Sequence, residues 1–147
     1  MLYNSELWTP TKKIEDSLDV FQRRLIRRSL NITWEDKITN EDLYKKIELK
    51  EYSITVKRRR LRWFGHMSRL PEDTPVRIAY AEAIRPVKKL RGGQRLTWPK
   101  KIEKDLNPNP QAPKMTLEKA QILAQDRQGW NTYTSRLMSA GSDERGD

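Results

Sequence analysis

Apolar residues recur along this chain at three- and four-residue spacing, which is the pattern of amphipathic α-helices. The first such run follows Thr9 and Pro10, a hydroxyl and a proline that are typical of a helix start. One apolar stripe of this helix is formed by Ile14, Leu18, Phe21 and Leu25. Asn31 is expected to end the helix, because asparagine tolerates the left-handed backbone that follows many helices. The sequence therefore predicts an amphipathic first helix with one apolar stripe.

Five more helices are predicted from the same spacing and from capping residues such as Ser53, Thr97 and Thr116. They are expected at about 40–47, 53–70, 76–84, 98–106 and 117–138. No segment alternates convincingly between apolar and polar residues with a period of two, as a half-buried strand would. We therefore expect an all-α fold, a small and loosely packed helical domain of about five to six helices.

Proline and glycine positions predict how the chain is divided. Three prolines in 107–113 prevent regular structure, so residues 107–115 are expected to form a linker. Residues 1–106 would then be a basic helical region, 116–140 a C-terminal helix and 141–147 a disordered tail. Residues 87–96, with the Gly92-Gly93 pair, are expected to form a basic loop.

Leu, Ile, Val and Phe make up 31 of the 147 residues, or 21%. That share is close to the roughly 20% below which highly charged chains stay disordered, so the core should be thin.

The positive charge is concentrated in residues 57–101, which contain fourteen Lys and Arg against three acids, a net charge of +11 in a chain of net charge +10. Clustered cations favour a polyanionic partner, because they release counterions from a phosphate backbone. A solvated face or a nuclear-import peptide would show similar clusters. We favour nucleic acid, RNA or DNA, because the second cluster, 88–101, contains no acid.

The candidate nucleic-acid-binding residues lie in this basic window. They are Lys57, Arg58, Arg59, Arg60, Arg62, Trp63, His66, Lys88, Lys89, Arg91, Arg95, Trp98, Lys100 and Lys101. Trp63 and Trp98 stand beside cations and are the two aromatic residues considered for stacking on unpaired bases. Tryptophans in a chain with a thin core are more often buried there, so both interpretations are kept.

Catalytic and metal-binding chemistry is poorly represented. His66 is the only histidine and there is no cysteine, so a zinc site would need a carboxylate for every other ligand. Glu48-Leu49-Lys50 superficially matches a nuclease motif that requires a β-scaffold, which is not predicted here. We therefore expect no catalytic residue, no metal and no cofactor. No apolar run approaches the length of a membrane span, so no membrane partner is expected either.

Five phrases of the chain resemble, in order, the C-terminal part of a non-LTR (LINE-type) retrotransposon endonuclease–reverse transcriptase. They are Leu-Tyr-Asn-Ser-Glu-Leu-Trp at 2–8, the Arg-rich 21–32, Arg-Arg-Arg-Leu-Arg-Trp-Phe-Gly-His at 58–66, residues 92–106 and Ala-Gln-Asp-Arg-Gln-Gly-Trp at 124–130. Asn4 stands where the family usually has Gly, and Leu7 where it has Thr. The Pro of the family's Gly-Arg-Pro stretch is missing, and Gly93 and Gln94 stand there instead. The Tyr-x-Asp-Asp metal site, the endonuclease domain and the Cys/His knuckle of some relatives are absent.

The resemblance implies that this is the thumb and downstream region of such an enzyme. That region grips the primer–template and element RNA during target-primed reverse transcription, while the chemistry is done elsewhere. We accordingly expect a non-catalytic nucleic-acid-binding fragment, an upstream reverse transcriptase domain as a partner, and an intracellular, nuclear location. An independent or domesticated basic DNA-binding or interaction module, a relic of a truncated element and, last, a stand-alone nuclease are the alternatives. The preference between RNA and DNA stays open.

Overall fold

The computed structural model describes residues 2–85 and 96–140, and every regular element in them is helical. The seven α-helices are α1 Lys12–Ser29, α2 Asn40–Ile47, α3 Tyr52–Ser68, α4 Pro75–Ile84, α5 Trp98–Leu106, α6 Leu117–Gln125 and α7 Arg127–Ala140. Single 3-10 turns lie at Ser5–Leu7 and Trp34–Asp36. The prediction of a small all-α fold is confirmed. The tail expected at 141–147 and most of the basic loop expected at 87–96 lie outside the described residues.

Two helices occupy the segment where a single one, 117–138, was predicted. Asp126 has an extended backbone, and its carboxylate accepts hydrogen bonds from the backbone N–H groups of Gln128 and Gly129, both at 2.9 Å. A short acidic side chain that caps a new helix competes with continuation of the preceding one. Asp126 therefore ends α6 and starts α7. The division of the chain at 107–115 stays a prediction, although that segment is free of helix.

The chain forms two compact units, Pro10–Val56 and Met1–Thr9 with Lys57–Asp147. In the smaller unit, α1 supplies the N-terminal cap of α3. The Asp19 carboxylate accepts from the Ser53 N–H at 2.8 Å. The Gln22 amide oxygen accepts from the Tyr52 N–H at 2.7 Å, and its nitrogen donates to the Lys50 carbonyl at 3.0 Å. The first N–H groups of a helix have no partner within the helix, so α1 satisfies them from a distance.

This capping determines which face of α1 is buried. Asp19 and Gln22 are its buried residues, whereas Ile14, Phe21 and Leu25 of the predicted apolar stripe are exposed. The buried face of α1 is therefore a polar one and not the apolar stripe. The start of α1 differs from the prediction, since Thr11 is its N-cap rather than Thr9. Its end agrees, because Asn31 has a positive φ of 52° just after the last turn.

The core of the larger unit is built from the second half of α3 and from α4, α5, α6 and α7. Its buried apolar side chains include Leu61, Phe64, Met67, Tyr80, Ile102, Leu106, Ala120, Ala124, Trp130 and Met138. Phe64 is central, with ring centroids 6.0 Å from Tyr80, 6.4 Å from Trp98 and 5.6 Å from Trp130. Aromatic pairs at these distances stabilise a core beyond the area that they bury. A few large rings thus provide much of the packing.

Candidate nucleic-acid interface

A concave site of about 950 Å³ opens in the larger unit between α3, α7 and the N-terminal 3-10 turn. We call it the basic groove. It is lined on the α3 side by Arg58, Arg59, Arg62, Trp63, His66 and Arg69. It is lined on the α7 side by Arg127, Trp130, Asn131, Thr134 and Ser135, and Glu6 is its one acidic residue. Five arginines therefore face one cavity with a single carboxylate among them.

Helical spacing explains why the α3 residues share this face. Arg58, Arg62, His66 and Arg69 follow one another at intervals of four, four and three residues, so their side chains lie along one side of the helix. On α7, residue 131 follows residue 127 by four positions, and residues 134 and 135 follow residue 131 by three and four, so these residues also share one side of the helix. The groove is thus formed by two polar helix faces set against each other.

Trp130 and Gly65 set the approach of α7 to α3 at the floor of the groove. The buried indole of Trp130 donates from Nε1 to the Leu61 carbonyl oxygen at 3.0 Å. A Cβ atom on Gly65 would lie only 2.3 Å from that same nitrogen. Only glycine at position 65 leaves room for the ring. The segment 58–66 therefore packs directly against the segment 124–130. This contact places the α3 arginines opposite the polar residues of α7.

Arg60 does not face the groove, although its neighbours in the sequence do. Its side chain is fully buried, with Nε 2.6 Å from the Asp105 carboxylate and Nη1 donating to the Trp8 carbonyl at 3.0 Å. Burial raises the pKa of Asp105, and the Arg60 guanidinium opposes that rise. Lys101 is also buried and lies 3.6 Å from the same carboxylate. The structure places both cations in ion pairs of the interior.

Trp98 likewise makes contacts within the larger unit and does not line the groove. Its indole donates to the Glu6 carbonyl at 2.8 Å, and its ring lies 6.1 Å from that of Tyr80. Lys57 is half-buried and Lys100 is exposed, and neither lines the groove. Lys88, Lys89, Arg91 and Arg95 lie outside the described residues. Of the predicted residues, the structure therefore brings together Arg58, Arg59, Arg62, Trp63 and His66.

The groove arginines differ in whether their guanidinium groups already have hydrogen-bond partners within the protein. Arg59 donates to the Leu2 carbonyl and to the Ser5 hydroxyl, and Arg69 donates to the Ala124 carbonyl at 2.7 Å. Within the described ranges, the exposed side chains of Arg58, Arg62 and Arg127 have no hydrogen-bond or ion-pair partner. A guanidinium presents a planar fork of donors that matches a phosphate. The guanidinium groups of Arg58, Arg62 and Arg127 are therefore available to bind phosphate in the groove.

His66 is exposed, and its ring centroid lies 5.3 Å from that of half-buried Trp63. Across residues 2–85 and 96–140, no group of three or more His, Asp or Glu side chains is arranged to hold a metal ion. The Trp63 and His66 rings offer an aromatic surface, and the imidazole of His66 can also hydrogen-bond.

Arg69, Arg127, Asn131, Thr134 and Ser135 line the groove but were not among the predicted site residues. Arg127 lies outside the charge-rich window, and the three neutral residues carry no charge signal. The spacing of residues 127, 131, 134 and 135 places them on one helix face. That this face meets α3 depends on the contact between Gly65 and Trp130, which the sequence does not signal.

Comparison with protein-family models, with curated proteins and with solved structures finds no match for this chain. Among the helices that the structure describes, none has both the length and the apolar character needed to cross a bilayer.

Proposed function

We propose that this protein binds nucleic acid through the basic groove and contributes binding rather than catalysis. The observation that carries the proposal is that Arg58, Arg62 and Arg127 converge from two helices on one cavity without a protein partner in the described ranges. Like charges held close together destabilise a fold unless something neutralises them. A phosphate backbone does so and gains the entropy of released counterions.

The resemblance adds the biological setting of the proposal. Residues 58–66 and 124–130, two of the segments that resemble the retrotransposon enzymes, each contribute lining residues to one side of the groove. In that setting the ligand is the primer–template or element RNA, the partner is an upstream reverse transcriptase domain, and the location is nuclear. An independent or domesticated binding module would use the same groove without such a partner. The phosphate chemistry is common to both.

The test compares two variants that lose the same charge. In the groove variant, Arg58, Arg62 and Arg127 are changed to Gln. In the control variant, Lys104, Lys119 and Arg136 are changed to Gln; these are exposed cations of the same unit that do not line the groove. Binding to fluorescein-labelled RNA and DNA is measured by anisotropy at several salt concentrations.

The groove variant should lose about 100-fold in affinity, since three phosphate contacts of about 1 kcal/mol each sum to about 3 kcal/mol. The slope of log affinity against log salt should become shallower by roughly two to three units, one for each contact. The control variant should stay within a few-fold of the parent. Equal losses in the two variants would show that only total charge matters and would sink the proposal.

A third variant, Arg24→Gln with Arg28→Gln, examines the other basic surface. Both arginines are exposed on α1, in the smaller unit. If this variant loses as much affinity as the groove variant, the main binding surface lies on α1 instead. A polymerase thumb region could equally bind a duplex through such a helix.

A further inference from the structure

We infer that the basic groove takes an unpaired stretch of nucleotides, in which a base faces α7 while its flanking phosphates bind the arginines of α3. This inference rests on the proposed function and narrows it to a class of ligand. It is carried by a difference in chemistry between the two sides of the groove.

The α3 side carries four of the five groove arginines, whereas the α7 side carries one, Arg127, together with neutral hydrogen-bonding groups. Arg58 and Arg62 project from α3, as described above. Asn131 and Ser135 are exposed on α7, and their side chains have no hydrogen-bond partner in the part of the chain that the structure describes. Thr134 differs, because its hydroxyl already donates to carbonyls of its own helix. Two neutral polar groups are therefore available opposite two guanidiniums.

In a duplex the bases are stacked inside and their edges are reached only from within a groove of the nucleic acid, by an element that protrudes from the protein. In an unpaired strand a base can turn outward, so its edge and its flanking phosphates can enter one concave site of a protein. The groove arginines line such a concave site, of about 950 Å³. Unstacked bases are recognised by hydrogen bonds to their exposed edges. An asparagine amide, which both donates and accepts, suits such an edge.

The cavity also contains an aromatic face. Trp63 is half-buried in its lining, with the exposed ring of His66 beside it. A base that stacks on an aromatic side chain gains about 1–3 kcal/mol. Stacking is tolerant of sequence, because every base has a π-face. A site that binds only the phosphates of duplex DNA does not need an aromatic ring, because the bases stay stacked inside the duplex.

The experiment measures binding of the full chain to four probes of one sequence: single-stranded RNA, single-stranded DNA, and the blunt duplex of each. The unmodified protein should bind at least one of the two single strands about tenfold or more tightly than its duplex, which is the gain expected from one stacked base. The single strand that binds more tightly identifies the source, RNA or DNA.

The decisive variant is Asn131→Ala with Ser135→Ala, which removes no charge. It should weaken single-strand binding by roughly tenfold, the range expected when a hydrogen-bonded base edge is lost. Its salt slope should be unchanged, because no phosphate contact is removed. The matched control is Gln128→Ala with Thr132→Ala, two exposed residues of the same helix outside the groove, and it should bind like the parent.

Equal affinity for single strands and duplexes, or an Asn131 and Ser135 variant that binds like the control, would overturn this inference and leave the proposed function in place. Binding to none of the four probes would overturn the proposed function itself. Thermal melts of each variant, followed by circular dichroism, keep a folding defect from being read as a binding defect.

Discussion

Gly65 of α3 lies so close to Trp130 of α7 that a methyl group in its place would reach within 2.3 Å of the indole nitrogen. The ring is buried, hydrogen-bonded to the Leu61 carbonyl, and packed against Phe64. Neither helix can move away without breaking this packing. The pair therefore holds together the two sides of the basic groove.

Gly65→Ala should accordingly destabilise the protein. Alanine favours a helix over glycine by about 1 kcal/mol, so a helical glycine without a packing role would become more stable on this change. Here the clash is with a rigid buried ring, and overpacking of this kind costs about 1–3 kcal/mol or more. Urea unfolding followed by circular dichroism measures the difference.

Gly129→Ala is the natural comparison for this first prediction. A Cβ atom at Gly129 would lie 2.5 Å from the Asp126 carboxylate oxygen, which belongs to an exposed side chain that can rotate away. Its cost should be limited to the weakened cap, about 1 kcal/mol, and partly offset by helix propensity. If the two variants were equally stable, the contact between Gly65 and Trp130 would not have the role described.

Neighbouring arginines on α3 should behave oppositely when each is changed to Gln. Arg60→Gln removes one partner of the buried pair with Asp105, which should cost about 3–5 kcal/mol of stability. Arg62→Gln alters an exposed groove residue, so stability should change by no more than about 0.5 kcal/mol while nucleic-acid affinity falls. Denaturant unfolding and anisotropy titrations on both proteins check this; an unaltered unfolding midpoint for Arg60→Gln would contradict the buried ion pair.

Tyr80 should make the protein sensitive to alkaline pH. Its hydroxyl is buried without a hydrogen-bond partner in the described residues, and burial raises its pKa from 10.0 to about 12. Between these values the unfolded chain releases the proton while the folded chain keeps it. Stability is therefore lost as the pH rises from about 10 to 12, by about 2–3 kcal/mol for this one group.

Tyr80→Phe removes the ionisation and leaves the ring. The variant should be as stable as the parent or slightly more stable at neutral pH, because no described hydrogen bond is lost. Its advantage should grow between pH 10 and 12, as unfolding midpoints measured across that range would show. Parallel pH profiles for the two proteins would mean that the hydroxyl is not buried as described.

Local signals in the sequence predict most of the helices, because hydroxyl caps and prolines act within a few residues. Thr39, for example, accepts from the Asp42 N–H at 3.1 Å as the first residues of α2 suggest. The buried face of α1 could not be predicted from the sequence. Its apolar stripe is visible in the sequence, but the need of α3 for distant caps from Asp19 and Gln22 is not.

The candidate site was predicted only in part because total charge does not distinguish buried from exposed arginines. Helix spacing does carry that information for α3. Residues 56, 60, 64 and 67 recur at intervals of four, four and three, and Val56, Phe64 and Met67 are buried with Arg60. A cation on an apolar helix face indicates an interior ion pair, here with Asp105. The α7 residues of the groove needed a tertiary contact, through Gly65, that no local pattern specifies.

Glu6 provides the last prediction, because it is the one carboxylate that lines the basic groove. A negative charge there repels the incoming phosphates, so Glu6→Gln should bind nucleic acid more tightly, by about two- to fivefold at low salt. The backbone carbonyl of Glu6, which accepts from Trp98, is kept in this variant, so the fold should be unaffected.

The gain should shrink as salt is added, since screening weakens interactions between solvent-accessible charges. Glu118→Gln, an exposed acid of α6 that does not line the groove, is the matched control and changes the net charge by the same amount. Anisotropy titrations at low and moderate salt compare the two variants. A larger gain for Glu118→Gln than for Glu6→Gln would place the phosphates on another surface. A gain confined to Glu6→Gln would support phosphate binding in the groove. A damaged fold lowers affinity, so it could not account for such a gain.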